Sequence, residues 1–257
     1  MIAETHHDEV AIQGGPLPEI LLPTNCPGCG IALVMDNLRT HNYVCTECGH
    51  HFRLGADVWI SLIADNGSWQ ERWSDVRSHD LLDWTVPKPY QETVERLLED
   101  GLNEAVRTGT CKLSGRPIWL ATFDFGFVGG TLSIVAGERL ARGMEQAAAS
   151  GIPYILVSAS GGARMQEGVL ALMQLAKVNA AVGRLHSARV PYFSILTDPT
   201  FGGSRPSARL PERRVSARPR AGRHGPAAHG AAAAARAPAG DVQMKTPKNL
   251  AIFRGPR

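Results

Sequence analysis

A layered α/β domain preceded by a small cysteine-built metal module is the fold class this sequence predicts, and three observations predict it. Two Cys-x-x-Cys pairs lie close together near the start, apolar runs of strand length alternate with helical periods through the middle, and the composition changes abruptly after Gly203. The chain has 257 residues, 44% hydrophobic and 20% charged, which is enough for a substantial core. Wholesale disorder, a collagen and a bare binding peptide are thereby excluded.

Residues 1–20 begin with the polar, acidic stretch Met1 to Val10 and are expected to lack fixed structure. That stretch does not read as a secretory signal, and the longest largely apolar run, Ile152 to Ala159, is far too short to span a bilayer. A cytoplasmic protein with no membrane span is expected.

Residues 21–55 hold the metal module. Cys26-Pro-Gly-Cys29 and Cys45-Thr-Glu-Cys48 are separated by 15 residues, the spacing of a zinc ribbon. Two residues between thiolates allow a tight knuckle whose amides point at the sulfurs, with Gly28 and Gly30 easing the first turn. Ile31 to Met35 and His41 to Val44 read as short strands around a turn at Asp36 to Thr40. Two disulfides are the competing reading, and they would require an oxidising compartment. Four cysteines already fill one structural Zn²⁺ site, so His50 and His51 are expected outside the ligand set, and Cys111 is expected to be a buried small hydrophobe.

Residues 56–203 carry the alternating pattern. Helical spacing covers Ala56 to Ala64 and then Tyr90 to Val106, where Val94, Leu97, Leu98, Leu102 and Val106 form one stripe. Cys111 to Leu113 and Ile118 to Phe125 read as a hairpin around Ser114-Gly115-Arg116-Pro117. A helix from about Glu138 to Ala149, a strand at Tyr154 to Ser158, a helix from Ala163 to His186 and a strand at Tyr192 to Leu196 follow. The two strands are near-continuous apolar runs, as expected of strands buried on both faces. Met165, Val169, Leu172, Ala176 and Ala180 share one face of the long helix and read as core.

Glycine pairs follow both of these strands. Ser160-Gly161-Gly162-Ala163-Arg164 is read as running from strand into helix, where unpaired amides at the positive end of the dipole attract an oxyanion or phosphate. Phe201-Gly202-Gly203 repeats the arrangement after the next strand, and Gly129-Gly130 precedes Thr131. Ser160 is not a convincing nucleophile, because the G-x-S-x-G elbow is missing and no His or Asp is placed to complete a triad.

Residues 204–257 differ in kind. Residues 1–203 hold 15 Lys/Arg against 22 Asp/Glu, whereas 204–240 hold eight Arg against the single Glu212. Such an Ala/Arg/Pro-rich stretch buries too little apolar surface to offset its ordering entropy, so a low-complexity, disordered tail is expected. A basic tail could bind nucleic acid, or be solvated with no task.

The ribbon with its trailing Cys48-Gly-His-His-Phe52, the stretch Ser158-Ala-Ser-Gly-Gly-Ala-Arg-Met-Gln-Glu-Gly168, the stretch Phe123-Asp-Phe-Gly-Phe-Val-Gly-Gly130 and Leu196-Thr-Asp-Pro-Thr-Phe-Gly-Gly203 together closely resemble the beta subunits of bacterial acetyl-CoA carboxylase carboxyltransferase. The resemblance runs from about residue 16 to residue 203 and is expected to stop there, with a shifted reading frame as the explanation offered for the tail. It implies a crotonase-like domain of ββα repeats behind a zinc ribbon. It also implies transfer of a carboxyl group from carboxybiotin to acetyl-CoA, giving malonyl-CoA for fatty-acid synthesis.

The partners it implies are a carboxyltransferase alpha subunit in an α2β2 assembly, a biotin carboxyl carrier protein and a biotin carboxylase, with biotin and ATP handled on those partners. Gly202 and Gly203 match the family's oxyanion-hole glycines, and Gly161, Gly162, Ala163 and Arg164 lie at the turn lining the acyl-CoA site. Which pair faces which oxygen is left open, as is whether Arg164 contacts an anion or pairs with Glu167. Loss of the family's continuation after Gly203 is expected to impair activity and alpha-subunit binding. The competing function class, a nucleic-acid-binding ribbon without catalysis, is opposed by the acidic balance of residues 1–203.

Overall fold

The computed structural model describes residues 23–201 and the backbone strand Ala251–Arg254. Its centre is a six-stranded mixed sheet in the order β1 to β6. The strands are β1 (Gln70–Arg72), β2 (Val106–Leu113), β3 (Arg116–Phe123), β4 (Tyr154–Ser160), β5 (Tyr192–Thr200) and β6 (Ala251–Arg254). The helices are α1 (Met35–Thr40), α2 (Ala56–Ile63), α3 (Tyr90–Glu99), α4 (Ile134–Ser150) and α5 (Gly168–Ser187). Among the described residues no helix is long and apolar enough to cross a membrane.

The expected hairpin forms, with β2 starting five residues earlier than its apolar pattern suggests. Leu113 pairs with Arg116 across a two-residue turn in which Ser114 and Gly115 both have positive φ, 51° and 77°. That is the geometry whose twist matches paired strands. The Asp65 carboxylate accepts from both turn amides at 2.9 and 2.7 Å, tying the hairpin tip to the chain after α2. Strands β3, β4 and β5 then run parallel, with α4 and α5 as the crossovers. Ser133 starts α4 by accepting the Ala136 amide at 2.8 Å, and Gly151 ends it in the left-handed region.

Strand alternation divides the core between two faces. Trp119, Ala121 and Phe123 of β3 turn toward α4 and α5, where they meet Leu132, Leu140, Met144, Val178 and Leu185. Ile118 and Leu120 turn the other way, toward Val58, Trp59 and Ile63 of α2 and toward Leu38, Tyr43 and Phe52 of the cysteine module. Two arginines bind the layers, Arg139 fully buried and Arg107 partly so. Arg107 of β2 reaches both Glu71 of β1 and Asp57 of α2. Arg139 of α4 donates to the carbonyls of Val76 at 2.6 Å and Val106 at 2.9 Å and to Asn103 Oδ1 at 2.8 Å.

Several expectations need correction. The turn expected at Asp36 to Thr40 is α1, and the two ribbon strands are reduced to isolated bridges, Asn25 with Ala32 and Val44 with His51. Helix α3 ends at Glu99, because Gly101 takes a φ of 83° and turns the chain; Val106 opens a strand instead of closing a helix. The stripe Met165, Val169 and Leu172 is exposed, and the core face of α5 is Ala171, Gln174, Val178, Ala181 and Leu185. Small residues let α5 approach α4 closely: a Cβ added at Gly137 would sit 2.5 Å from the Gln174 amide oxygen. The segment Ala251–Arg254, assigned above to the low-complexity tail, pairs antiparallel with β5, from Phe193 with Arg254 to Leu196 with Ala251. The expected disorder of residues 1–20, 204–250 and 255–257 lies outside the described residues.

Candidate functional site

The metal centre is built by two knuckles. Gly30 N–H donates to the Cys26 carbonyl at 2.7 Å and Cys26 N–H to the Ile31 carbonyl at 2.8 Å; Gly49 N–H to Cys45 and Cys45 N–H to His50 repeat the pattern at 2.9 and 2.8 Å. These turns bring the sulfurs of Cys26, Cys29, Cys45 and Cys48 within 4.8 Å of one another. Cys26 to Cys48 is 3.6 Å and Cys29 to Cys45 is 3.8 Å. Four thiolates about 2.3 Å from a tetrahedral zinc would be about 3.8 Å apart, so the quartet fits the ion. All five cysteines are free thiols, which sets the disulfide reading aside.

Amides at the second knuckle favour the thiolate. The Cys48 backbone N–H, with that of Glu47, pulls the Cys45 thiol down to about 7 against the opposing effect of burial, while burial and the neighbouring thiols hold Cys29 and Cys48 above their ordinary values despite the backbone amides that they accept from. His50 stacks edge-on against Phe52 with ring centres 5.0 Å apart and is outside the cluster. Cys111 is buried beside Ile118, and burial pushes its thiol up to about 12.

The second region lies at the carboxyl ends of β3, β4 and β5, the end of a parallel sheet where ligands bind. Three loops meet there. Gly161 N–H donates to the Gly129 carbonyl at 2.9 Å, Leu132 N–H to Gly162 at 2.7 Å and Arg164 N–H to Leu132 at 3.0 Å. Leu132 and Ala163 form a parallel bridge, so the loop after β3 and the loop after β4 are joined by backbone bonds. Phe201 N–H donates to the Ser160 carbonyl at 2.8 Å, bringing the third loop alongside. The Thr197 and Thr200 hydroxyls both donate to Ser158 O at 2.8 Å.

This geometry changes the reading of Gly161 and Gly162. No helix starts at Ala163: a 3₁₀ turn spans Met165–Glu167, and α5 begins at Gly168. Gly161 N–H is turned onto Gly129, and Gly162 N–H onto Ser160 Oγ at 3.2 Å. The pair shapes the loop instead of offering outward amides to an anion. Ser160 is fully buried, consistent with its rejection as a nucleophile. Gly202 and Gly203, which follow Phe201 directly, lie outside the described residues.

Arg164 is not at the surface either. Its side chain is 0% exposed and pairs with Glu104 at 2.8 Å, with Glu167 farther off at 3.7 Å. The same guanidinium donates to Ser78 Oγ at 3.0 Å, Tyr90 Oη at 2.9 Å, Thr131 Oγ1 at 3.1 Å and the Thr131 carbonyl at 3.1 Å. Of the two alternatives left open above, pairing is the one observed, and its nearer partner is Glu104. Burial would raise the Glu104 carboxyl, but the Arg164 charge and the Ser78 hydroxyl hold it below its ordinary value. Burial does raise Glu167, whose carboxylate caps the start of α4 by accepting the Ile134 amide at 2.5 Å and also accepts the Tyr90 hydroxyl at 2.9 Å. Sequence reasoning missed Glu104, Ser78 and Tyr90, since no spacing rule connects residues 60 to 86 positions apart from Arg164.

A carboxyl transferase domain model matches residues 88–221. The acetyl-coenzyme A carboxylase carboxyl transferase subunit beta of Citrifermentans bemidjiense is 36% identical over 248 residues, covering 95% of this chain and 78% of that protein. A Saccharopolyspora erythraea protein, acetyl-coenzyme A carboxylase carboxyl transferase subunits beta/alpha, is 44% identical over 181 residues, covering 70% of this chain and 32% of its own. Among solved structures, a Pseudomonas malonate decarboxylase hetero-tetramer in complex with malonate is 28% identical with a TM-score of 0.46, covering 58% of this chain and 53% of its own. The domain match ends at residue 221 and the first relative covers 95% of this chain, whereas the Saccharopolyspora protein is matched over 181 residues at higher identity. The chain belongs to the carboxyl transferase family, among the beta subunits of acetyl-coenzyme A carboxylase carboxyl transferase.

Proposed function

We propose that this chain is the beta half of a carboxyltransferase that moves a carboxyl group from carboxybiotin, borne by a carrier protein, to acetyl-CoA, yielding malonyl-CoA. The observation that carries the reading is the joining of the Gly129–Thr131 and Gly161–Arg164 loops beside Phe201, at the carboxyl ends of three adjacent parallel strands. These loops hold the residues by which the sequence resembles the family.

The chemistry asks little of charged side chains. As the acetyl methyl group loses its proton, negative charge gathers on the thioester oxygen, and backbone N–H groups aimed at that oxygen stabilise the enolate. The methyl carbon then bonds to the carboxyl carbon as the carboxyl leaves the biotin nitrogen, which takes up the proton. Because the Gly161 and Gly162 amides are used internally, Gly202 and Gly203 are the proposed oxyanion donors, and Gly161 to Arg164 form the wall against which the acyl-CoA lies. Four cysteines leave zinc no open position, so the metal's role here is to hold the ribbon. ATP and covalent biotin belong to the partner subunits.

The alpha subunit is the proposed occupant of the exposed apolar residues Met165, Val169, Leu172 and Met173 around the start of α5, where Leu82 lies against Gly168. Support comes from the relative whose name joins beta and alpha in one chain. With the alpha subunit bound, the chain is expected to carry carboxyl from malonyl-CoA to free biotin. Leu172→Glu is expected to weaken alpha-subunit binding at least about tenfold in sedimentation, since a buried unpaired carboxylate would replace an apolar contact. An intact complex that moves no carboxyl group would overturn the reading.

A further inference from the structure

We propose that Glu104 is a positioning residue for carboxyl transfer: as the buried counter-charge of Arg164, it fixes the two joined glycine loops against which the acyl-CoA is held. The inference rests on the functional reading above and extends it to a residue outside every motif that carries the resemblance. Glu104 stands just before β2, and its side chain is fully buried. Oε1 accepts from Arg164 at 2.8 Å, from the Ala105 amide at 2.8 Å and from Ser133 Oγ at 3.3 Å; Oε2 accepts from Ser78 Oγ. Its orientation is therefore set from four sides.

Arg164 passes that constraint on. One edge of its guanidinium faces Glu104 and the other segments it binds are Ser78, Tyr90 of α3 and Thr131, the residue directly after Gly129-Gly130. Beneath it lie the rings of Phe127, 5.3 Å away, and Tyr90, 5.9 Å away. Arg164 thus holds the loop after β3 from its own place in the loop after β4, while its backbone amide bonds to Leu132. Glu167 cannot replace Glu104 without cost. It lies 3.7 Å from the guanidinium, and its oxygens already serve Tyr90 and the start of α4.

Neutralising Glu104 leaves a buried cation paired only with Glu167, so the guanidinium is drawn from Thr131 toward the α4 cap. The two loops then lose their shared anchor. The Glu104 and Arg164 side chains are fully buried and act on the acyl-CoA through the loops they hold, so the effect should fall on turnover more than on affinity.

The test compares Glu104→Gln with the unmodified full chain, each in complex with the alpha subunit, by steady-state transfer and by amide hydrogen exchange. The expected results are a kcat at least about tenfold lower per folded molecule, a KM for acetyl-CoA changed less than about threefold, and faster exchange in segments 127–134 and 159–168 but not at the β2–β3 turn. Glu104→Asp should restore part of the kcat. Unchanged kcat, or exchange that rises uniformly through the chain, would overturn the proposal. If Glu104→Gln does not fold, Arg164→Lys keeps both charges while removing the planar fork that spans Glu104 and Thr131; unchanged exchange of the two segments in that variant would also overturn it. Exchange reads the positioning independently of activity, so a wild-type complex that transfers nothing would count against the functional reading alone.

Discussion

Cys45→Ser should reduce bound zinc from about one equivalent per chain to near none, and should loosen more of the molecule than the ribbon. Three thiolates make a poor tetrahedral structural site, and Cys45 stands 3.8 Å from Cys29 with its backbone already committed to the knuckle. The consequence spreads because Leu38, Tyr43 and Phe52 of the ribbon pack in one apolar cluster with Trp59 of α2 and Leu120 of β3. Metal analysis and tryptophan fluorescence would therefore change together. Full zinc retention in the mutant would reject the ligand assignment.

Gly130→Ala should be far more damaging than Gly129→Ala, although both glycines have positive φ, 60° and 64°. At Gly129 an added Cβ meets nothing within 4 Å, so the cost is the left-handed backbone alone, about 1 kcal/mol. At Gly130 the same atom would sit 2.1 Å from the Ala159 carbonyl oxygen and 3.3 Å from the Phe125 Cα. No rotamer relieves a clash between a Cβ and main chain. The loop must move away from β4, breaking the Gly161 to Gly129 bond, and a destabilisation of about 3 to 4 kcal/mol is expected. Urea unfolding of the two variants checks the contrast; equal midpoints would show that the loops are not packed as described.

The residues that were legible in the sequence share one property: their partners are close in the chain or follow a fixed period. The cysteine quartet depends on short spacings, and β3, β4 and β5 are apolar runs bounded by turns, so both could be read directly. The long helix misled because its largest apolar residues point outward. Its buried face uses Ala171 and Ala181, whose small size permits close approach to α4, and a hydrophobicity ranking takes that face for the weaker one. Apolar spacing alone extends α3 to Val106, because Leu102 and Val106 continue the spacing of Leu97 and Leu98, while Gly101 ends the helix through a dihedral that spacing does not record. Arg164 was visible and its role was not, since that role is set by Glu104, Ser78 and Tyr90 arriving from three distant segments.

Formation of malonyl-CoA from carboxybiotin carrier and acetyl-CoA, in the presence of the alpha subunit, tests the central claim most directly. It should be measured for this chain, for the chain with a relative's continuation after Gly203, and for Gly203→Val in that second form. The account predicts product that requires acetyl-CoA, the alpha subunit and the beta chain together, at a lower rate for the chain as it stands. It further predicts a loss of at least about a hundredfold for Gly203→Val, because the side chain would displace a proposed oxyanion donor. Zinc-loaded, alpha-bound protein carrying the relative's continuation that forms no malonyl-CoA, or a Gly203→Val variant that transfers at the unmodified rate, would contradict it.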